Sequence, residues 1–165
     1  MWRLVYGVIL FLIACALGGL ACGKLNNELD ALLGMAEDLK IMHNTMKYER
    51  SCIIELTSKL RNVGKLPEFW SEMENGLKKN DGVMAAWQNA SKLLTSLNKK
   101  DMSTLDAFFT DFGKGGTQAE LNRFEFMLEN INESVCQKKA EYESRTKLIR
   151  TLSSLAGLAL AIMVL

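Results

Sequence analysis

Apolar residues recur along this chain at helical spacings. From residue 25 onward Leu25, Leu32, Leu39 and Met46 repeat at seven, with Leu29, Ala36 and His43 on the accompanying line. Towards the other end Leu121, Leu128, Val135, Tyr142 and Ile149 repeat at seven beside Phe124, Ile131, Lys138 and Arg145. Heptad stripes of this kind predict two long helices able to pair antiparallel as a stalk, with Lys138 and Arg145 breaking the apolar seam. Between them, shorter helices are predicted at roughly 51 to 62, 66 to 79, 83 to 98 and 102 to 112. Leu66, Phe69, Trp70, Met73 and Leu77 form one core face at i, i+3, i+4, i+7 and i+11, and Val83, Trp87, Ala90, Leu94 and Leu97 form a similar one.

Breaks separate these segments at Val63-Gly64-Lys65, Asn80-Asp81-Gly82, Asn98 to Asp101 and Gly113-Lys114-Gly115-Gly116. Thr117-Gln118-Ala119-Glu120 has the form of a capping box, so the last long helix is predicted to start there with Thr117 as its cap. Proline occurs once, at Pro67, and no alternating stretch of strand length interrupts the pattern. The fold class is therefore all-α: a bundle of about six helices whose two long terminal helices run into apolar ends.

Those ends are the second feature. Residues 4–22 and 152–165 carry no charged side chain, while every acid and every base except Arg3 lies in 24–150. As helices, the two runs reach about 28 Å and about 21 Å at 1.5 Å per residue, so the first matches a bilayer core and the second falls short unless Thr151 and a snorkelling Arg150 extend it. The resulting division is a membrane helix at 1–23, a helical domain at 24–150 and a membrane helix at 151–165. Small residues recur every four positions, at Cys15, Gly19 and Gly23 in the first run and Ser153, Gly157 and Ala161 in the second, a spacing that lets helices pack closely in lipid. Lys24, Lys40, Lys138, Lys139, Arg145, Lys147 and Arg150 flank the runs on the domain side, which places the domain in the cytoplasm. A competing reading of the N-terminal run is a cleaved signal, with Met1-Trp2-Arg3 as its basic start.

Composition narrows the function classes. The 165 residues leave room for one domain, and 20 basic against 19 acidic side chains give a net charge of +1, which offers nucleic acid no bulk attraction. One histidine, His43, excludes any mechanism or metal site needing two, and it sits on an apolar stripe as a packing residue. The cysteines at 15, 22, 52 and 136 form no C-x-x-C and have no histidine cluster, so no zinc site is expected, and Cys52 and Cys136 are expected as free thiols. Gly113-Lys114-Gly115-Gly116 lacks the spacing and the preceding strand of a phosphate loop and reads as a helix break. No catalytic residue, cofactor or metal is expected. What remains is contact chemistry. The charged residues Glu68, Glu72, Lys78 and Lys79, beside the inward-pointing Phe69, Trp70, Met73 and Leu77, are the candidate partner-binding surface.

The order of features resembles the stage III sporulation protein AB family of endospore-forming bacteria. The resemblance runs nearly end to end, from an N-terminal membrane helix and a leucine-rich helix leading to Tyr48 to a final leucine- and glycine-rich helix at 152–165. Ile53 and Glu55 match part of the turn that follows the tyrosine. Ala86-Trp87 resembles the family's alanine-tryptophan pair, and Phe108, Phe112 and Gly113 resemble its F-G-x-x-L-G stretch. The chain departs from the pattern at Asn44, Cys52, Phe109, Gly116 and Glu120.

This resemblance implies a component of the channel-like complex linking mother cell and forespore, with a soluble domain similar to the cytoplasmic domains of the type II secretion and type IV pilus platform protein. The implied partners are the secretion-type ATPase of the same operon, the other membrane components of the channel complex and the lipid bilayer. The implied location is the mother-cell membrane around the forespore, with the domain in the cytoplasm. Two further readings stay open at this stage: a sensor or adaptor binding a small ligand in a bundle pocket near His43, and an exported helical protein.

Overall fold

The computed structural model describes the backbone of residues 2–49, 52–79 and 82–164, with side chains at 23, 26–49, 52–79, 82–149, 151, 152, 155, 156 and 159. Among these residues there are six α-helices and no strand: α1 (Trp2–Glu49), α2 (Ile53–Val63), α3 (Pro67–Lys78), α4 (Gly82–Ala90), α5 (Lys99–Asp111) and α6 (Thr117–Val164). The chain divides into two units, one of residues 28–136 and one of residues 1–27 with 137–165.

The 28–136 unit holds the core. Leu32, Met35, Leu39 and Met42 of α1, Phe69, Trp70 and Met73 of α3, Trp87 of α4, Leu105 and Phe109 of α5 and Phe124 of α6 are all fully or almost fully buried. Aromatic rings tie the short helices together. Trp87 stacks on Phe109 with centroids 4.4 Å apart and planes 15° from parallel, while Phe69 meets Trp70 edge-on at 4.7 Å. Phe108 carries the cluster onward to Phe124 of α6 at 5.0 Å.

On α6 the buried row is Phe124, Met127 and Ile131, whereas Leu121, Leu128 and Val135 of the expected heptad stripe are only half-buried. On α1 the row widens to take in Met35 and Met42, and Ala36, His43 and Met46 lie at its edge. A helix in a bundle faces more than one neighbour, so its apolar stripe is broader than, and rotated from, a two-helix seam.

Element starts follow from capping. Asn98 accepts the amide of Asp101 at 2.7 Å, which starts α5 at Lys99, three residues ahead of the sequence expectation. The segment expected to be helical over 83–98 stops at Ala90 and continues as a 3-10 turn at Ser91–Leu93, and Leu94, at φ −86° and ψ 46°, leaves helical geometry. Leu94 is still buried, because the tighter turn carries it to the core that a continuous helix would have reached. Gly82 and Gly113, at φ 80° and 85°, supply the left-handed residues of two breaks.

The capping box predicted at Thr117 takes a different form. Thr117 is the first helical residue, and Glu120 passes over its amide to accept that of Gly115 at 3.0 Å. The glycines explain the shift: Gly115 lets the carboxyl group approach to 3.1 Å of where a Cβ would stand.

Among the described residues no helix is long and apolar enough to cross a membrane. Most side chains of the uncharged runs 4–22 and 152–165 lie outside the described ones, and so do those of Cys15, Gly19, Ser153, Gly157 and Ala161. Gly23 is described: it is exposed, and a Cβ there would meet nothing within 4 Å.

Candidate functional site

Four acids lie inside the 28–136 unit, each at most 4% exposed: Asp38, Glu74, Asp101 and Glu120. A buried carboxyl group is costly unless it is hydrogen-bonded or paired, so the partners of each indicate what it does. Asp38 accepts the backbone amides of Lys65 at 2.7 Å and Leu66 at 3.1 Å and the indole N–H of Trp70 at 2.7 Å. One α1 side chain thereby fixes the α2–α3 turn and the start of α3. Glu74 pairs with Arg61 of α2 at 2.8 Å and Lys78 at 2.6 Å. Glu120 holds the Gly115 amide and pairs with Arg123 at 3.3 Å, and Arg123 also donates to the Asp111 carbonyl, closing the α5–α6 loop. Trp87 donates its indole N–H to Asp106, fastening α4 to α5. Asp38, Glu74 and Glu120 are structural, each spent on a backbone amide, an indole or a cation of this chain, while Oε2 of Glu120 and Oδ2 of Asp101 are buried without a hydrogen-bond partner.

The consequence is a firmly held α3 with a charged outer face. Glu68 and Glu72 of α3 and its C-cap Lys79 are exposed and recur at i, i+4 and i+11, so three of the four candidate contact residues share one side. Lys78 lies a quarter-turn away, and its ammonium is engaged with Glu74. It belongs to the internal ion pair more than to the free face.

Among the described residues the surface also carries an apolar groove that the periodicity did not single out. A groove of about 390 Å³ opens between α5 and α6, with Ala107, Phe108 and Met127 along its floor and Phe126 on its lip. Phe126 is 67% exposed, and its signal in the sequence was a large aromatic on the side of α6 away from the buried row.

The remaining candidates have plain placements. His43 is 11% exposed, packs 6.0 Å from the Phe124 ring and has Nε2 3.9 Å from Glu125. It does not line the α5–α6 groove, so the ligand pocket imagined around it has no counterpart there. Cys52 and Cys136 are free and exposed. Lys114, in the glycine-rich loop, pairs with Asp111 at 3.3 Å. Among the described residues no group of three or more His, Cys, Asp or Glu side chains could hold a metal ion.

An all-helical bundle with a structural polar interior defines the class: a helical-bundle protein. The chain belongs to the stage III sporulation protein AB family, whose model matches residues 4–165. That membership gives it a role in sporulation. No curated protein and no solved structure matches it.

Proposed function

We propose that this chain is a non-enzymatic, membrane-anchored platform in a secretion-like channel between mother cell and forespore, and that its helical domain docks a secretion-type ATPase of the same operon. The observation that carries the reading is the α3 face: Glu68, Glu72 and Lys79 stand exposed on a helix held in place by Asp38 and Glu74 from within. Charged residues on a fixed helix suit electrostatically steered, reversible docking. The uncharged runs 4–22 and 152–165 serve as the anchors, packed through their small-residue rows or against other membrane components of the complex. The lysines and arginines that flank the runs support a domain facing the mother-cell cytoplasm, where the ATPase has its nucleotide.

The test uses the full chain. Glu68→Lys with Glu72→Lys is expected to lower both retention of the operon's ATPase on the immobilised chain and the yield of heat-resistant spores. Undiminished retention by a folded double variant would sink the assignment of this face, and no retention by the unaltered chain would sink the ATPase reading itself.

A further inference from the structure

The α5–α6 groove and the helix face beside it are self-complementary. Asn122, Arg123, Phe126, Glu129 and Asn130 lie on one side of α6 at i, i+1, i+4, i+7 and i+8. Phe126 is 67% exposed at their centre, Arg123 is 38% exposed and Glu129 is exposed. In an antiparallel pair of identical helices about a two-fold axis, residues equally far before and after the central position face each other. Centred on Phe126, that rule sets Arg123 of each copy against Glu129 of the other and Asn122 against Asn130. The Arg123–Glu129 contact is attractive, and both contacts form twice.

We propose that a second copy of this chain occupies the groove. The two α6 helices pair antiparallel through this face, and each Phe126 enters the groove of the other copy over Ala107, Phe108 and Met127. A scattered exposed aromatic needs no explanation. Here the aromatic, the apolar groove that would receive it and a charge pattern complementary to its own reverse fall on one patch, as an isologous interface requires. Arg123 is available for the role: its Nη1 serves Glu120 and the Asp111 carbonyl, and the guanidinium fork has further donors to offer Glu129 of the second copy.

The experiment is sedimentation equilibrium of the full chain in density-matched mild detergent. The unaltered chain is expected to be dimeric, and Phe126→Asp is expected to raise the dimer dissociation constant by at least about 30-fold, the loss typical of a central aromatic anchor. Glu129→Arg and Arg123→Glu should each self-associate weakly, since each homodimer opposes like charges. An equimolar mixture of the two should dimerise, because both cross-copy pairs then become Arg against Glu. Far-ultraviolet circular dichroism checks that each variant is folded; if Arg123→Glu is not, Phe126→Asp and Glu129→Arg decide the matter. A monomeric unaltered chain overturns the proposal and leaves the groove to a helix of another protein. A dimer indifferent to Phe126→Asp overturns it equally.

Discussion

The carboxyl group of Asp38 on α1 accepts the indole N–H of Trp70 on α3 at 2.7 Å, and both side chains are fully buried. The same group also accepts two part-buried turn amides, so its removal leaves one buried and two part-buried donors without their acceptor. Asp38→Ala is expected to destabilise the chain by about 2–4 kcal/mol, since each unsatisfied buried donor costs more than a hydrogen bond gains. Trp70→Phe removes only one of those donors. Combined, the two changes should couple by about 1 kcal/mol, because they share one bond. Thermal unfolding followed by circular dichroism measures the cycle; full additivity would mean that the indole bond contributes nothing.

Glu74 poses the opposite case. Its partners Arg61 and Lys78 are 42% and 56% exposed, whereas Glu74 is 2% exposed. Removing both cations leaves a buried acid uncompensated, so Arg61→Ala with Lys78→Ala should cost about 3–5 kcal/mol. Removing the acid lets both cations return to water, and Glu74→Met should be within about 1 kcal/mol of neutral or stabilising. Denaturant midpoints for the two variants should therefore move by very different amounts. Equal losses would contradict the burial asymmetry.

Gly76 marks the closest approach of α3 to α4. A Cβ there would lie 2.7 Å from the Ala86 Cβ and 2.9 Å from its Cα. Alanine is the better helix former by about 1 kcal/mol, yet Gly76→Ala should destabilise by about 1–3 kcal/mol because two helices must move apart. Adding Ala86→Gly removes the atom it strikes, and the double variant should recover part of the loss in melting temperature.

Charge reversal on α3 is expected to leave stability alone. Glu68 and Glu72 are exposed, with no ion pair among those found in the described residues, so Glu72→Lys should lie within about 0.5 kcal/mol of the unaltered chain and Glu68→Lys, which reverses a charge in the first turn of α3, within about 1 kcal/mol. This separates a docking defect from a folding defect: a shift of several degrees in melting temperature would assign the two acids an internal role.

Helix order and most boundaries were legible in the residues because the punctuation is chemical. Gly64 and Gly113 sit in the breaks they predicted, Pro67 opens α3, and the Trp70 and Trp87 rows face the core, with only Leu66, Val83 and Leu97 half-buried. The polar interior was less legible, though it leaves a trace. Glu120 precedes Phe124, Met127 and Ile131 at i+4, i+7 and i+11, Asp101 precedes Leu105 and Phe108 at i+4 and i+7, and Glu74 stands four residues after Trp70. Each is an acid in an apolar row. Periodicity can locate such an acid but cannot say which distant amide or cation satisfies it, because that depends on how helices far apart in the chain come together. The contact residues show the same boundary. Local spacing put Glu68, Glu72 and Lys79 on one face, while the diversion of Lys78 to Glu74 depended on burial that one helix does not determine. The groove at Phe126 requires two helices, and neither one announces it.

Glu120 has one more consequence. Its carboxyl group takes the Gly115 amide just ahead of α6, and Lys114 in the same glycine-rich loop is paired with Asp111. The spot where the chain could most easily have received a phosphate is thus occupied by its own anions. If the chain docks an ATPase as proposed, the nucleotide of that enzyme would find no seat at this loop, and its state would reach the chain only through the shape of the enzyme that carries it.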